Sequence, residues 1–122
     1  MKPKILYIDD EIINNLNFEV LFRDKYTVFT AKNLEQAVEI ITSRRPDIIF
    51  SDQKMPGKSG TEFFTDLVEK SVDGSNVPKV IVTGYSDNEE VNILLNKKII
   101  CNVVLKPFKT HHIEKIISEQ LN

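Results

Sequence analysis

At 122 residues, with 41% hydrophobic and 28% charged side chains, the chain has ordinary globular composition and enough length for one buried core. A formal net charge of -2 supplies no general attraction to nucleic acid or to an anionic membrane surface. No apolar run approaches the roughly 20 residues of a membrane helix, and Met1-Lys2-Pro3-Lys4 leads straight into a four-residue apolar run, unlike a signal peptide.

The first predicted element is a short strand, Ile5-Leu6-Tyr7-Ile8, ending in the acids Asp9, Asp10 and Glu11. Ile13, Leu16 and Val20 then recur at helical spacing and predict an amphipathic helix to about Asp24 with those residues as its buried face. Thr27 to Ala31 reads as a partly exposed strand. Asn33 followed by Gln36 makes a capping-box pattern for a second helix, whose apolar face is Leu34, Ala37, Val38 and Ile41 and which Pro46 stops. Ile48-Ile49-Phe50-Ser51 is apolar with turn chemistry on both sides, as expected of a strand buried on both faces of a parallel sheet. It delivers Asp52 to the strand's C-terminal end, the edge where open α/β sheets bind ligands.

After Asp52, Met55-Pro56-Gly57 and Ser59-Gly60 predict a loop of defined shape, since proline fixes φ and glycine permits φ > 0. Phe63, Phe64, Leu67 and Val68 mark a third helix, and 71–78 is the longest loop-like stretch. Val80-Ile81-Val82 is the fourth strand and ends at Thr83-Gly84. Ser86 with Glu89 reads as a capping box for a short helix carrying Val91, Leu94 and Leu95. Cys101, alone and therefore without an internal disulfide, reads as a small buried residue beside the fifth strand, Val103-Val104-Leu105, which ends at Lys106-Pro107. Ile113, Ile116, Ile117 and Leu121 give the last helix its face, and His111 and His112 open it in solvent.

Strand and helix alternate five times, which predicts a mostly parallel sheet with helices on both faces and one domain over 1–122. Parallel strands place Asp9, Asp10, Asp52, Thr83 and Lys106 on one edge. Three carboxylates meeting there resist joint ionisation unless a cation sits among them, and Mg²⁺ suits such oxygen donors. With a Thr hydroxyl and a Lys ammonium alongside, these are the parts of a phosphoryl-transfer site.

Asp9-Asp10, the run Asp52-x-x-Met55-Pro56-x-x-Ser59-Gly60, Thr83-Gly84 and Lys106-Pro107-Phe108 resemble the receiver domain of two-component response regulators, from Ile5 to about Leu121. The resemblance implies a doubly wound (βα)5 flavodoxin-like parallel sheet with strand order 2-1-3-4-5. It implies that Asp52 accepts a phosphoryl group from a histidine kinase or phosphotransfer protein. Mg²⁺ would be held directly by Asp10, Asp52 and the Lys54 backbone carbonyl, with Asp9 acting through water. Thr83 would bind the phosphoryl group, Lys106 would pair with it, and the Lys106-Pro107 peptide would be cis. The same resemblance implies a cytoplasmic phosphoprotein, leaves room for a downstream output domain or protein, and allows a weak or phosphorylation-dependent homodimer. It implies no direct contact with nucleic acid or membrane.

Where many receivers carry an aromatic residue three positions before the lysine, this chain has Val103, which cannot swing in the same way. Tyr85, two residues after Thr83, is the nearest aromatic that could replace it. Lys54 and Tyr85 flank the mouth of the expected pocket and are expected to modulate hydrolysis there. Phe108 is expected at the surface. Two alternatives remain: an aspartyl-phosphate hydrolase of a small metabolite, and an unphosphorylated pseudo-receiver. Against the hydrolase stand Asp9-Asp10 in place of an Asp-x-Asp signature and the lack of an insertion long enough for a cap.

Overall fold

The computed structural model describes residues 2–70, 74–84 and 88–122. Five strands, β1 (Lys4–Ile8), β2 (Thr27–Ala31), β3 (Ile48–Asp52), β4 (Lys79–Thr83) and β5 (Asn102–Leu105), form one parallel sheet in the order β2-β1-β3-β4-β5. Between and after them run α1 (Ile12–Phe22), α2 (Leu34–Arg44), α3 (Gly60–Glu69), α4 (Glu89–Asn96) and α5 (Thr110–Leu121). The strand order is the one implied by the resemblance. Every residue of β3 and β4 is buried, whereas edge strand β2 buries only Ala31, so helices must cover both faces of the central strands.

Alternation along the strands divides the core in two. Ile5, Tyr7, Ile48 and Phe50 point toward α1 and α5, where Phe18, Phe22, Ile113 and Ile117 meet them. Leu6, Ile8, Ile49 and Ile81 point the other way, onto Ala37, Ile41, Phe64, Val91 and Leu94 of α2, α3 and α4.

Helix α1 turns a different face inward from the predicted one. Ile13, Leu16 and Val20 are 60%, 52% and 58% exposed, and the buried residues are Asn15, Phe18 and Phe22. The helix carries two apolar stripes, and the aromatic one wins because rings remove more surface from water and stack. Phe18 lies 4.2 Å from Tyr7, centroid to centroid, with the planes 8° apart. Asn15 adds a polar tether, its amide donating to the Asp9 carbonyl at 2.9 Å. Val38 is likewise turned outward on α2, and Ile40 packs in part against the core.

The caps follow local chemistry with two differences. The Asn33 side chain accepts from Gln36 N at 2.8 Å, but Gln36 reaches back to Lys32 N, one residue beyond the expected partner. Helix α4 is capped by Asn88, which accepts from Val91 N at 3.2 Å; Ser86 lies outside the described residues. Phe108 is half-buried, its ring 6.2 Å from that of Phe18, so it belongs to the aromatic cluster under α1.

Lys79, at the start of β4, is 2% exposed and donates to the carbonyls of Ser75 and Val77 at 2.8 and 2.7 Å. Burial lowers its pKa from 10.5 to about 8.

Two outcomes are expected. In urea unfolding, Phe18→Ala should cost about 3–5 kcal/mol, as for a ring deleted from a packed core. Leu16→Ala should cost less than about 1 kcal/mol, and equal losses would contradict the face assignment. For Lys79, the unfolded chain holds the extra proton between about pH 8 and 10.5, so stability rises with pH across that window. The wild type should therefore gain on Lys79→Gln between pH 7 and pH 10; a pH-independent difference would contradict a strained ammonium.

Candidate functional site

The register of the sheet assembles the site. Ile8 lies beside Ser51, so the next residues, Asp9 and Asp52, are neighbours at the C-terminal edge. Asp52 lies beside Val82, which puts Thr83 one step on; Thr83 lies beside Leu105, which puts Lys106 one step on. Gly60 sets how closely α3 approaches this edge: a Cβ there would lie 2.6 Å from the Asp52 carbonyl oxygen. Only glycine permits that approach.

Asp9 is fully buried and heavily engaged. Its Oδ2 accepts from the Tyr7 hydroxyl at 2.9 Å and the Asn14 amide at 3.1 Å, and its Oδ1 accepts from Glu11 N at 3.0 Å. Asp10 is exposed and Asp52 is 9% exposed. Lys106 Nζ stands 3.0 Å from Asp52 Oδ1 and 3.5 Å from Asp9 Oδ2. The Lys106-Pro107 peptide is cis, and Lys106 N donates to the Thr83 carbonyl at 2.8 Å. Thr83 is 2% exposed, at the end of β4. Lys54 is exposed, two residues beyond Asp52. Tyr85, the other expected pocket-mouth residue, lies outside the described residues. Val103 is half-buried against the α2–α3–α4 side of the core.

Charge is crowded here. Burial, above all, raises the Asp52 pKa; hydrogen bonding and charge from Lys106 oppose this, while Asp9 and Asp10 add to it. For Lys106, burial favours the neutral amine, but its hydrogen bond to Asp52 and the charges of Asp52 and Asp9 outweigh that and raise its pKa. Burial, followed by the Asp9 charge, raises the pKa of the Tyr7 hydroxyl and keeps it a donor to Asp9. Tyr7, Asn14 and Asn15 escape sequence reasoning: a tyrosine in an apolar strand reads as a core ring, and asparagines between apolar residues read as a wet face.

One ligand oxygen from each of Asp9, Asp10 and Asp52 lies within 4.8 Å of the others. Among the described ion pairs Lys106 is the cation that faces these carboxylates, and hard oxygen donors match the chemistry of Mg²⁺. The donor set fits that ion.

Comparison with known proteins agrees with this arrangement. A profile described as the response regulator receiver domain matches residues 5–118. The chain belongs to the receiver domain family. Among its relatives, sporulation initiation phosphotransferase F of Bacillus subtilis is 32% identical over 124 aligned residues, covering 99% of this chain and 95% of that protein. The nitrate/nitrite response regulator NarL of Escherichia coli is 30% identical, covering 94% of this receiver and 53% of that protein. The hydrogenase transcriptional regulator HoxA of Cupriavidus necator is 25% identical, and this receiver spans only 22% of its length. In structure, a receiver domain protein from Clostridium thermocellum superposes with a TM-score of 0.85 at 27% identity, covering 98% of this receiver and 94% of that chain. Chemotaxis protein CheY4 of Vibrio cholerae gives 0.85 at 25%, covering 98% of each chain. As a member of this family, the receiver is a signalling domain of two-component systems.

Removing one of the crowded charges should stabilise the metal-free receiver. Asp10→Asn is expected to raise Tm by a few degrees in low-salt buffer, less at high salt where the repulsion is screened. An unchanged Tm in scanning calorimetry would show that the three acids do not repel appreciably.

Proposed function

We propose that this receiver works by phosphorylation of Asp52, taking the phosphoryl group from the phosphohistidine of a kinase or phosphotransfer protein in the cytoplasm. The observation that carries this reading is the Asp52 carboxylate, held at the strand edge between Lys106 and the acids Asp9 and Asp10. An Asp52 oxygen attacks phosphorus, the phosphorus–nitrogen bond breaks, and the imidazole leaves with the bonding pair. Lys106, already against Asp52, pairs with a phosphoryl oxygen, and Thr83 donates its hydroxyl to another. Asp10, Asp52 and the Lys54 carbonyl would hold Mg²⁺, with Asp9 acting through water. The ion would supply positive charge to offset the carboxylates and the phosphoryl oxygens.

The partner must reach the rim of this edge. Ile12, Ile13 and Leu16 are exposed on α1, which starts just after the acidic pair, and provide apolar surface for that contact. Among the described residues no helix is long and apolar enough to cross a membrane. The signal would pass by protein contact, to an output domain or protein or to a second copy in a phosphorylation-dependent dimer. Family membership favours this module over a metabolite hydrolase, and Asp9, Asp52, Thr83 and Lys106 at one edge favour it over a pseudo-receiver.

Acetyl phosphate with Mg²⁺ should give one phosphoryl adduct, mapped to Asp52 by mass spectrometry and absent from Asp52→Asn or in excess EDTA. An adduct of full yield in either control would overturn the assignment.

Lys54 and Tyr85 bear on lifetime. Hydrolysis needs a water in line with the bond being broken, and the sequence positions of Lys54, two residues after Asp52, and of Tyr85, two after Thr83, are ones from which a long cationic side chain and a ring would crowd that water. Each 1.4 kcal/mol so added slows decay about tenfold. This receiver should therefore dephosphorylate slowly, and decay should accelerate in Lys54→Asn, Tyr85→Ala and most in the double variant. Decay no faster in the double variant would remove both from this role.

A further inference from the structure

Immediately after Asp52, the chain builds a second polar cluster that the phosphoryl site does not use. Gln53 is 5% exposed and Thr61 is 3% exposed. The Gln53 side-chain oxygen accepts from Thr61 N at 2.9 Å, and its amide donates to Thr61 Oγ1 at 2.9 Å and to Glu90 Oε2 at 3.3 Å. Thr61 Oγ1 donates to the same Glu90 oxygen at 3.1 Å. One carboxylate oxygen on the first turn of α4 thus receives two donors, one from the residue following Asp52 and one from the first turn of α3.

The backbone of Gln53 is tied down as well. Its N–H donates to the Val82 carbonyl at 3.1 Å, and its carbonyl accepts from Gly60 N at 3.1 Å. Gln53 is therefore held through both backbone and side chain, and Glu90 is its exposed partner on α4. An open groove lined by Lys54, Met55, Pro56, Asn88 and Glu89 separates the β3–α3 loop from the start of α4. Helix α4 is anchored by apolar packing of Val91 in its first turn and of Leu94 in its second half. Its near end is drawn to the loop by charge-assisted hydrogen bonds, which are directional and lost together if the helix shifts.

We propose that Gln53, Thr61 and Glu90 form a clamp that holds α4 in its unphosphorylated position and so opposes phosphoryl uptake at Asp52. The clamp rests on the phosphoacceptor reading given above. Thr83 ends β4, and α4 is the next helix in the chain, so drawing Thr83 toward a phosphoryl group pulls on the α4 end that Glu90 restrains. A clamp present only before the shift favours that state, and by linkage its loss must favour whatever binds the shifted state. Val103 cannot report the shift by a ring swing; the clamp couples Asp52 to α4 through polar contacts instead. Glu90, Thr61 and Gln53 are positioning residues: they act on α4, not on phosphorus.

The test uses the whole chain and beryllofluoride with Mg²⁺ as the phosphoryl mimic. Glu90→Ala, an exposed substitution, should bind the mimic about fivefold or more tighter than wild type. Without metal or mimic, α4 amides in that variant should exchange hydrogen several-fold faster while β1 and β3 amides are unchanged. Thr61→Val should shift both readouts the same way, and Glu90→Gln, which keeps an acceptor oxygen, should fall between Glu90→Ala and wild type. If the wild type forms the complex but Glu90→Ala and Thr61→Val bind the mimic no tighter, the clamp is overturned and the phosphoacceptor reading stands. If α4 exchange is unchanged in both variants, the clamp is also overturned. If the wild type forms no complex, the phosphoacceptor reading fails and the opposition to uptake falls with it.

Discussion

Asp9 and Asp52 share a single ammonium, that of Lys106, and much of the molecule serves to bring those three groups to one place. They come from the residue after β1, the end of β3 and the residue after β5, so neither local sequence nor one helix could hold them together. Parallel pairing does it: side-by-side strands running the same way end on the same edge, and the register sets which residues are level there. A one-residue slip of β3 against β1 would turn the apolar residues of β3 to the wrong faces, so the core itself guards the site geometry. Burial then makes the charges strong. Asp52 is pushed toward its neutral form by desolvation, while Lys106 pulls it back toward ionisation.

That balance has a chemical consequence. A nucleophilic carboxylate must be ionised yet not locked in an unbreakable pair. The Asp52–Lys106 contact at 3.0 Å is accompanied by negative charge from Asp9, so the lysine is shared between two carboxylates; under the proposed function it would follow a phosphoryl oxygen. Tyr7 and Asn14 complete the arrangement from below, satisfying Asp9 so that its burial is tolerable. The same strand edge carries a second polar assembly, through Gln53, which reaches across to α4. The two assemblies are one residue apart in the chain, and under the functions proposed above one would handle charge at phosphorus and the other the position of a helix.

The number, type and order of the elements, and the strand-end position of Asp52, Thr83 and Lys106, were already legible in the sequence. Apolar runs bounded by turn residues are local signals, and a strand-then-helix alternation leaves few topologies. Asn33 likewise acts through a neighbour three residues away, whereas the Ser59–Glu62 capping box, an equally local signal, lay in a stretch read only as a loop. What periodicity alone could not decide was which of two apolar stripes on α1 turns inward. Ile13, Leu16 and Val20 have the spacing, but Phe18 and Phe22 have the rings, and only the presence of Tyr7, Phe50 and Phe108 across the interface makes the aromatic stripe the better one to bury.

Tertiary structure alone decided the partners of polar groups. Tyr7 could have been one more core ring, Asn14 and Asn15 solvent-facing, and Glu90 an ordinary acid on a helix's first turn. Each takes its role from atoms brought alongside by the fold: Glu90 is 37 residues from Gln53 and Lys106 is 97 from Asp9. Hydrogen bonds act over about 3 Å and require alignment, so they are fixed only once backbone elements are packed. The sequence determined which residues stand at the ends of the strands, because that depends on runs of neighbours. The fold decided which of their oxygens and nitrogens meet, because that depends on register and packing between residues far apart in the chain.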